Sequence, residues 1–555
     1  MSNIMKLQNG SDIRGIALPG IAGEDVNLDS YDAIAIAEAF VYWLALRKKK
    51  SEYDLNICIG CDSRLSGEDL KKNIMRGICM MGSHCADAGL ASTPAMFMST
   101  VLPVYEFDGA IMITASHLPW NRNGFKFFTD EGGLEKEDIA AILKRASTIH
   151  PIAEHYECED VNLMEMYAAH LRSLISRKVR GKLDGMKIAV DAGNGAGGFF
   201  AEQVLAPLGA DISPSQFLEP DGHFPNHIPN PENPDAMASI STRVKTSGAD
   251  LGIIFDTDVD RSAAVTGQGT PISRNAIVAL AAALEAPQHP GGTVVTDSIT
   301  SRELHTFLEE ELGVHHYRYK RGYRNVINKA IELQEQGEDA FLAIETSGHA
   351  AYADNYFLDD GAHLACLIVA AATLLKKEGK GIESLIEKLA SPAEATEYRF
   401  ALDPDNFVQI GTDILDGMPA WVSQTEGLSL EEPNYEGVRV NFVLHCASDD
   451  KGARDATASS GSASDAASAI PTSKSAVSAS VSAIPASKCA TSDAASAIPA
   501  EDSSVSGWFL LRKSLHDPVL PLNVEADSEG GIQLVLPLIR DYLSQFEGID
   551  LSILE

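Results

Sequence analysis

Basic residues are scarce in this chain. Lysine and arginine total 44 against 78 aspartates and glutamates, which leaves a formal net charge of −34 at pH 7. Such a charge excludes a general attraction to nucleic acid or to an anionic membrane surface. An anionic ligand would have to be bound by basic residues that gather locally against the overall field.

Cysteines are few, and long apolar runs are missing. The 8 cysteines are scattered through 555 residues and no signal peptide is recognisable, which favours free thiols in a reducing compartment. Cys58-Ile-Gly-Cys61 has redox-motif spacing but lies in a strand, so we expect no functional disulfide there. No apolar run, including Leu367 to Leu375, reaches transmembrane length.

The N-terminus bears on the compartment. The chain reaches its first motif at Gly10, which leaves no room for a transit peptide. We therefore expect a cytoplasmic protein. A plastid location is the alternative if the N-terminus is incomplete.

The most informative segment that is present ends in a serine. Gly109-Ala-Ile-Met-Ile-Thr-Ala-Ser-His-Leu-Pro119 is typical of a buried strand that runs into a tight loop, so we expect Ser116 on an exposed loop tip. Arg122 and Lys126 follow closely, an arrangement that suits a serine carrying a phosphoryl group. Taken alone, such a string is more often an ordinary turn closed by proline.

A second loop is rich in aspartate. After another apolar strand, Asp256, Asp258 and Asp260 alternate, and extended backbone would place them on one face, where their oxygens converge on a hard cation. An EF-hand loop needs a glycine and a glutamate where this chain has Arg261 and Gly267, so that motif is excluded. Few protein ligands on a short loop favour Mg²⁺, and a solvated acidic turn is the alternative.

A third loop, Phe341-Leu-Ala-Ile-Glu-Thr-Ser-Gly-His349, also follows an apolar strand. Glu345 and Ser347 alternate onto one face and offer an acceptor and a hydroxyl at the spacing of neighbouring sugar hydroxyls. His349 is either a general acid or base or, as a lone histidine beside glycine, structural.

These three strings, in this order, resemble the α-D-phosphohexomutase superfamily, the phosphoglucomutases and phosphomannomutases. Gly10-Ser-Asp-Ile-Arg-Gly15 is similar to the opening motif of that family, and Gly60-Cys-Asp-Ser-Arg-Leu-Ser66 to the strand and loop after its first helix. The serine, aspartate and glutamate loops resemble its phosphoserine, metal and sugar loops. The resemblance spans nearly the whole chain, which looks like a divergent, plant- or alga-like member.

The resemblance implies an α/β fold with four domains around a central cleft. Three would be similar mixed α/β domains, at residues 1–165 (phosphoserine), 166–288 (metal) and 289–392 (sugar), and a C-terminal α+β phosphate-binding domain would span 393–555. The length also exceeds what one hydrophobic core usually supports. Strands that alternate with amphipathic helices predict mostly parallel, buried sheets.

Residues 447–507 do not fit this plan. They are almost wholly Ala, Ser, Asp, Thr and Lys, and Ser-Ala-Ile-Pro recurs at 468, 482 and 496. So little apolar surface predicts a disordered, low-complexity insert in the fourth domain. The insert separates two strand-like pieces, Gly437–Phe442 and Trp508–Arg512, which we expect to be neighbouring strands, because lengthening a flexible loop costs little free energy.

The resemblance also implies a mechanism. Phosphorylated Ser116 would donate its phosphoryl group to a hexose monophosphate, and the resulting 1,6-bisphosphate would turn and return its other phosphate. Mg²⁺ would lie on the three aspartates and a phosphoserine oxygen of Ser116. Lys126 is the first candidate for the general acid or base, His349 the second and His117 the third, and Arg14 belongs to the same catalytic group.

Substrate contacts follow from the same resemblance. The expected substrate-binding residues are Arg261, Arg324, Glu345, Ser347, Arg512, Ser514 and His516. Glucose 1,6-bisphosphate is the expected activator and small phosphosugars are the expected substrates, with no nucleic acid and no membrane as partners. We expect a monomer or weak dimer.

The chain departs from the family pattern at several positions. Leu118 stands where asparagine is usual, Gly322-Tyr-Arg324 replaces Gly-Phe-Lys, and His516 replaces a threonine of the phosphate loop. The altered phosphate loop leaves open a second function, a hexose 1,6-bisphosphate synthase, from which the bisphosphate intermediate dissociates before it turns.

A third hypothesis is a non-catalytic phosphosugar-binding relative. The intact serine, aspartates and Lys126 argue against it. Glucose, mannose and glucosamine phosphates all remain open as substrates.

Overall fold

The structure is a computed structural model that describes residues 4–150, 157–445, 504–514 and 517–554. The chain divides into two compact units, Met1–Ala390 and Ser391–Glu555. The serine, aspartate and glutamate loops all belong to the first unit. Among the described residues, no helix combines the length and apolarity needed to cross a lipid bilayer.

The first unit begins with an eight-stranded sheet, in the order β1-β2-β6-β5-β3-β4-β8 with β7 beside β6. Its strands are β1 (Gln8–Asn9), β2 (Asp12–Ile16), β3 (Asn56–Cys61), β4 (His84–Leu90), β5 (Gly109–Ile113), β6 (Arg122–Thr129), β7 (Gly132–Gly133) and β8 (Glu159–Asp160). The helices of this part are α1 (Ser30–Lys48), α2 (Gly67–Met80), α3 (Thr93–Val101), α4 (Lys136–Ala146) and α5 (Leu163–Val179).

Two smaller sheets complete the first unit, in the orders β12-β11-β10-β9 and β14-β13-β15-β16-β17. The first of them contains β9 (Ile188–Asp191), β10 (Leu251–Phe255), β11 (Ser262–Thr266) and β12 (Pro271–Ile272), with helices α6 (Pro234–Ser247) and α7 (Asn275–Glu285). The second contains β13 (Thr293–Thr296), β14 (His315–Arg318), β15 (Ala340–Ile344), β16 (Ala350–Tyr352) and β17 (Leu358–Asp359), with helices α8 (Arg302–Thr306), α9 (Tyr323–Glu335) and α10 (Gly361–Lys377).

Sequence signals set the main boundaries of these elements. The Asp29 carboxylate accepts hydrogen bonds from the first backbone N–H groups of α1, and Asn233 does the same for α6. Strands β5, β10 and β15 are buried along their whole length. A strand covered on both faces reads as a continuous apolar run, which is why the three strands are visible in the sequence.

The three sheets are mixed, so the prediction of mostly parallel sheets was wrong. Strand β3 runs parallel to β4 and β5, but β5 pairs antiparallel with β6. Likewise β10 pairs antiparallel with β11, and β15 with β16. The physical reason is that each of these pairs is joined by a short loop, and a short loop can only return the chain antiparallel to the strand it left.

The C-terminal unit is a five-stranded antiparallel sheet with two helices, in the strand order β18-β22-β21-β20-β19. Its elements are β18 (Glu394–Ala401), α11 (Phe407–Gln424), β19 (Leu428–Leu430), β20 (Val438–His445), β21 (Ser504–Leu511), β22 (Val519–Ala526) and α12 (Gly531–Leu543). Buried Arg439 lies over the ring of Trp508, 3.5 Å from its centroid, and pairs with Glu431.

The two strand-like pieces that flank the insert are neighbours, as predicted. Strand β20 pairs with β21 from Val438↔Leu511 to His445↔Ser504. The prediction of disorder was wrong for residues 504–507, because β21 begins at Ser504 and its ladder with β20 supplies the backbone hydrogen bonds. The rest of the predicted insert, residues 447–503, lies outside the described residues.

Candidate active site

One backbone arrangement is repeated three times in the first unit. In each case a buried strand (β5, β10 or β15) ends, a short loop follows, and the chain returns as an antiparallel strand (β6, β11 or β16). The loops span residues 114–121, 256–261 and 345–349. These are the loops that the sequence singled out, and direct contacts join them.

The serine loop is folded tightly over its own strand. Ser116 has a positive φ of 48° and only 7% of its surface is exposed, so the expectation of an exposed tip was wrong. Its N–H donates to Thr114 Oγ1 at 2.8 Å, and that hydroxyl donates to Asp62 Oδ2 at 2.7 Å. The positive φ is a rarely populated conformation for serine, and this hydrogen-bonded chain stabilises it.

Arg64 explains why the loop is buried. Its side chain is fully buried and pairs with Asp62 at 3.3 Å. The guanidinium donates to the carbonyl oxygens of Pro119 (2.8 Å), Arg122 (3.0 Å) and Leu118 (2.7 Å), and also to that of Ser116. The segment Gly60–Ser66 contains both Asp62 and Arg64, but its sequence predicts a role for neither. The only available signal was an arginine two residues after an aspartate at the end of a strand.

The Ser116 hydroxyl is in contact with the aspartate loop. Its Oγ donates to Asp256 Oδ2 at 2.9 Å and accepts from Arg261 Nη2 at 3.1 Å. The same guanidinium nitrogen lies 2.7 Å from His117 Nδ1, which therefore accepts and has no proton on that nitrogen. His117 is thus adjacent to the serine, but its ring nitrogen is already engaged.

The three aspartates converge, although by a route other than the one expected. Oxygen atoms of Asp256, Asp258 and Asp260 lie within 4.8 Å of one another, and all three residues are buried. The backbone is a turn with Val259 at a φ of 68°, so the prediction of an extended segment was wrong. A turn curls the three side chains around one point, whereas a strand would only align them on one face.

The donor set fits a hard divalent cation. Oδ1 of Asp258 and Oδ1 of Asp260 are buried and have no hydrogen-bond partner. Buried carboxylate oxygens normally accept hydrogen bonds, so two that accept none, on residues of one converging cluster, indicate a ligand position. An all-oxygen site with few protein ligands suits Mg²⁺ best.

Lys126 is the cation closest to this cluster. It lies on β6, opposite Met112 of β5, and its side chain is buried. Its Nζ is 3.0 Å from Asp258 Oδ2 and 2.5 Å from Asp260 Oδ2. Burial alone would lower the pKa of Lys126, but the two carboxylates raise it well above its usual range. Lys126 therefore carries its proton in this arrangement.

The carboxylates are affected unequally. Burial, together with repulsion from Asp260, raises the pKa of Asp256 well above its usual range. Burial would also raise the pKa of Asp260, but Lys126 reverses the direction and the net shift is downwards. Burial and mutual repulsion thus both disfavour the ionised form of Asp256, and an added divalent cation would offset both, which is a second reason why the site fits such a cation.

The glutamate loop is attached to the aspartate loop. The backbones of Arg261 and His349 form an isolated β-bridge, and His349 Nε2 lies 3.6 Å from Asp260 Oδ1. Burial would lower the pKa of His349, but Asp260 and Glu345 raise it to about 10. His349 is thus a protonated group of the site, and its role as an acid or base stays a prediction.

Glu345 and Ser347 both contact this histidine. Ser347 Oγ is 2.8 Å from His349 Nδ1, and Glu345 Oε2 is 3.4 Å from the same nitrogen. Glu345 Oε1 also accepts from the Gly322 N–H at 2.7 Å. The two side chains therefore lie on the same side of the loop.

The remaining residues proposed for the site have mixed environments. Arg14 donates to the Thr114 carbonyl and pairs with Asp12 at 2.8 Å, beside the serine loop. Arg324 is paired with Glu135 and lines an open pocket together with Lys126 and Asp260. The positively charged groups of the first unit thus reach the same region from several elements.

The phosphate-loop residues belong to the C-terminal unit. The Arg512 N–H donates to the Pro521 carbonyl at 3.1 Å, and Ser514 Oγ accepts from the Asp517 N–H at 3.2 Å. His516 lies outside the described residues. The assignment of Arg512, Ser514 and His516 to a substrate phosphate stays a prediction.

Comparison with known proteins identifies the family. Models of phosphoglucomutase/phosphomannomutase alpha/beta/alpha domains I, II and III match residues 5–151, 165–269 and 273–392. A phosphomannomutase/phosphoglucomutase of Pseudomonas syringae is 31% identical over 362 residues, which is 64% of this chain and 74% of that protein. A phosphoglucomutase of Neisseria meningitidis is 28% identical over 448 residues, 80% of this chain and 89% of that protein.

Solved structures support the same fold. A phosphoglucomutase/phosphomannomutase family protein of Burkholderia thailandensis superposes with a TM-score of 0.70 at 23% identity, covering 98% of both chains. A putative phosphomannomutase of Thermus thermophilus gives 0.64 at 18% identity, covering 97% of this chain and 99% of that one. With its serine, aspartate and glutamate loops in contact and three family domains in order, the chain belongs to the phosphoglucomutase/phosphomannomutase family of phosphotransfer isomerases.

Proposed function

We propose that this enzyme interconverts hexose 1-phosphate and hexose 6-phosphate, with glucose or mannose as the sugar, through phosphorylated Ser116 and a 1,6-bisphosphate intermediate. Ser116 would donate its phosphoryl group to the free hydroxyl of the substrate. The bisphosphate would then turn, and its other phosphate would return to Ser116. Atoms balance over the cycle, because one phosphoryl group leaves the enzyme and one comes back.

One observation supports this proposal most strongly. The Ser116 hydroxyl lies 2.9 Å from Asp256 and 3.1 Å from Arg261, next to carboxylates with two unpartnered oxygens. A serine that merely capped a turn would not need a buried arginine and a cation site at its oxygen. Phosphoryl transfer needs both, because its transition state spreads negative charge over the phosphoryl oxygens.

Mg²⁺ would be bound by Asp256, Asp258 and Asp260, where it would neutralise the charge on the transferred group. Arg261, fully buried and paired with Asp256 at 3.1 Å, would donate hydrogen bonds to the same group. The two unpartnered carboxylate oxygens are the observation that makes this donor set suitable.

Proton transfer is assigned to Lys126 and His349. Both are protonated in the described arrangement, because Asp260 lies within reach of each. Each is therefore ready to donate a proton to a sugar oxygen, and Lys126 can accept one only after its carboxylate partners are neutralised otherwise. Glu345 and Ser347 would accept and donate hydrogen bonds to sugar hydroxyls, and Arg324, Arg512, Ser514 and His516 would contact phosphate.

Substrate range is proposed to be broad. Glucose and mannose phosphates differ only at the 2-hydroxyl, and a site that makes no dedicated hydrogen bond there rejects neither strongly. Glucosamine phosphate is the weaker candidate. We further propose that glucose 1,6-bisphosphate activates the enzyme by phosphorylating Ser116.

A ³¹P NMR time course tests the proposal. The full chain would be mixed with glucose 1-phosphate, Mg²⁺ and a trace of glucose 1,6-bisphosphate, with Ser116→Ala as the paired sample. Conversion to glucose 6-phosphate that is lost in the variant is the expected result. Conversion that persists in Ser116→Ala would overturn the assignment of the nucleophile.

The altered phosphate loop supports a second candidate, a hexose 1,6-bisphosphate synthase. His516 and Asp517 change the segment that would grip the phosphate that is not reacting. If conversion is slow, fructose 1,6-bisphosphate would be added as a phosphoryl donor. Accumulation of glucose 1,6-bisphosphate would identify the synthase. If neither sample forms a product, the protein would be a phosphosugar-binding protein without catalytic activity.

A further inference from the structure

Three cysteine sulfurs meet at one corner of the first sheet. Cys85 Sγ lies 2.9 Å from Cys158 Sγ and shares a hydrogen bond with Cys79. Cys79 Sγ in turn donates to the Glu157 carbonyl at 3.2 Å. Cys85 is the second residue of β4, whereas the Ser116 loop follows the carboxyl end of β5, and β3 runs parallel to both strands. The thiols and the active site thus lie at opposite ends of the sheet.

Strand register explains the close approach of Cys85 and Cys158. Strands β4 and β8 are parallel, and Ala86 pairs with Glu159 and Asp87 with Asp160. One residue earlier, the same register places Cys85 beside Cys158. Neighbouring strands lie about 4.8 Å apart, which is within the Cα separation of roughly 4.4–6.8 Å that a disulfide spans.

The Cys58–Cys61 pair lacks this geometry, although its spacing is more conspicuous in the sequence. Both residues lie on strand β3, and both are buried as free thiols. Three steps of extended backbone separate their Cα atoms by about 10 Å, which is beyond the reach of a disulfide. The motif spacing is therefore uninformative, and the informative pair is separated by 73 residues.

We propose that Cys85 and Cys158 form a reversible disulfide and that Cys79 is the thiol through which an oxidant reaches them. The oxidant class is a small-molecule disulfide such as oxidised glutathione. The proposal concerns a modification site that the phosphoryl-transfer reaction does not use, and it does not depend on the proposed function.

The surroundings of the three thiols support this division of roles. Cys85 is buried, whereas Cys79 and Cys158 are partly exposed. The hydrogen bond from Cys85 lowers the pKa of Cys79 to about 7, and the hydrogen bonds that Cys85 makes raise its own pKa. Cys79 is therefore the accessible sulfur with thiolate character, which is the property that governs attack on a disulfide.

The steps balance. The Cys79 thiolate attacks one sulfur of the oxidant and releases one small thiol, which leaves a mixed disulfide on Cys79. Cys85 then attacks Cys79 Sγ and releases the second small thiol, and Cys158 attacks Cys85 Sγ and releases Cys79 as a thiol. In sum, two protein thiols are oxidised to one disulfide and one small disulfide is reduced to two small thiols. The two protons of the protein thiols end on the two small thiols.

A bound metal is the competing use of clustered thiols. Among the described residues, only the aspartates 256, 258 and 260 place three ligand atoms close enough together for one ion. The cysteine cluster does not meet that condition, which favours thiol chemistry over zinc binding.

A peptide map tests the proposal on the full chain. The reduced protein would be incubated with oxidised glutathione, its remaining thiols blocked with N-ethylmaleimide, and the digest analysed by mass spectrometry without reduction. The expected product is a Cys85–Cys158 cross-linked peptide that disappears with dithiothreitol. We also expect the oxidised protein to melt a few degrees higher, because the bond closes a long segment of the chain.

Three variants sharpen the test. Cys79→Ser should slow formation of the cross-link about tenfold without preventing it, because Cys79 supplies the accessible thiolate. Cys158→Ser should prevent the Cys85–Cys158 product. Cys366→Ala, which removes a buried thiol on α10, is the matched control and should leave both rate and product unchanged.

Two results would overturn the proposal. One is a wild-type map that contains only glutathione adducts or links between other cysteines. The other is a stoichiometric zinc ion in the reduced wild-type protein whose removal by a chelator exposes Cys79, Cys85 and Cys158 to N-ethylmaleimide. Both results come from the wild-type protein or from metal analysis, so a variant that fails to fold would not hide them.

Discussion

The aspartate loop and the glutamate loop share a backbone plan and differ in how their charges are balanced. Each connects a buried strand to an antiparallel neighbour. In the aspartate loop, buried Asp258 Oδ1 and Asp260 Oδ1 accept no hydrogen bond, and Asp260 Oδ1 has only ion-pair contacts of 3.6 Å to His349 and 3.9 Å to Arg261. Both Glu345 oxygens have a closer partner, Gly322 N–H at 2.7 Å and His349 at 3.4 Å. We therefore expect the first loop to take up a cation and the second to bind a neutral sugar.

Removing one carboxylate of the aspartate loop should have the largest effect. Asp258→Asn takes away an unpartnered charged oxygen, so we expect Mg²⁺ affinity to fall steeply and kcat/KM to fall about a thousandfold. Calorimetric Mg²⁺ titration and a coupled mutase assay would measure the two effects. Asp235→Asn, at an exposed position of α6, is the control, and equal behaviour of the two variants would contradict the assignment.

The contact between the two loops is the next point to break. Gly348 has a φ of 92°, and a Cβ there would lie 2.5 Å from the Ser262 carbonyl oxygen. Gly348→Ala should therefore destabilise the protein by about 1–3 kcal/mol and reduce kcat/KM about a hundredfold, because the loops must separate.

Gly379→Ala is the matched control for that variant. Gly379 also has a positive φ, of 75°, but a Cβ there meets no atom within 4 Å. It should cost only the backbone strain, about 1 kcal/mol, and leave activity unchanged. Thermal unfolding and steady-state kinetics of the two variants would be compared, and identical losses would show that loop contact is unimportant.

Neutralising the glutamate should have a smaller and different effect. Glu345→Gln keeps an acceptor for the Gly322 N–H but removes the charge beside His349. We expect kcat/KM to fall about tenfold while Mg²⁺ affinity is retained, the reverse of the pattern in the aspartate loop. A Glu345→Gln protein that loses Mg²⁺ binding would remove the distinction between the loops.

The last prediction concerns stability rather than activity, at the buried carboxylate of Asp360. Asp360 accepts hydrogen bonds from Tyr167 and from the His363 N–H, and burial raises its pKa to about 6. The folded state therefore binds this proton more tightly than the unfolded state does. The resulting stability is complete below the unfolded pKa of about 4 and is lost as the pH rises through about 6.

Asp360→Asn isolates that contribution. The variant cannot ionise, so the difference in melting temperature between wild type and variant should change between pH 4 and pH 6, by an amount equivalent to about 2 kcal/mol. Differential scanning calorimetry across this range would measure it. A difference between the two proteins that stays constant with pH would show that burial does not raise the pKa of Asp360.

Much of the site could be predicted because its chemistry is local. Each of the predicted loops follows an apolar strand within a few residues. The position of Ser116, the three aspartates and Glu345 at strand ends could therefore be predicted. The role of Arg64 could not be predicted, because the carbonyl oxygens that it binds lie 52 to 58 residues further along the sequence. The burial of Ser116 was missed for the same reason.

Sheet direction and register were the other features that sequence patterns left undetermined. An apolar run looks the same whether its neighbour is parallel or antiparallel, so the mixed sheets were not foreseen. The proximity of Cys85 and Cys158 depends on the pairing of β4 with β8 and has no local signature. By contrast, the pairing of β20 with β21 was predictable, since a low-complexity segment separated two apolar strands.

The backbone bridge between Arg261 and His349 has a consequence for fragments of this protein. A chain cut before β15 would retain Ser116 and all three aspartates, yet Ser262 N–H would lose its acceptor, the Gly348 carbonyl, and Asp260 would lose His349. No single domain contains a self-sufficient part of the site. Proteolytic nicking or premature termination should therefore yield inert pieces, and activity should return only if complementary fragments reassemble.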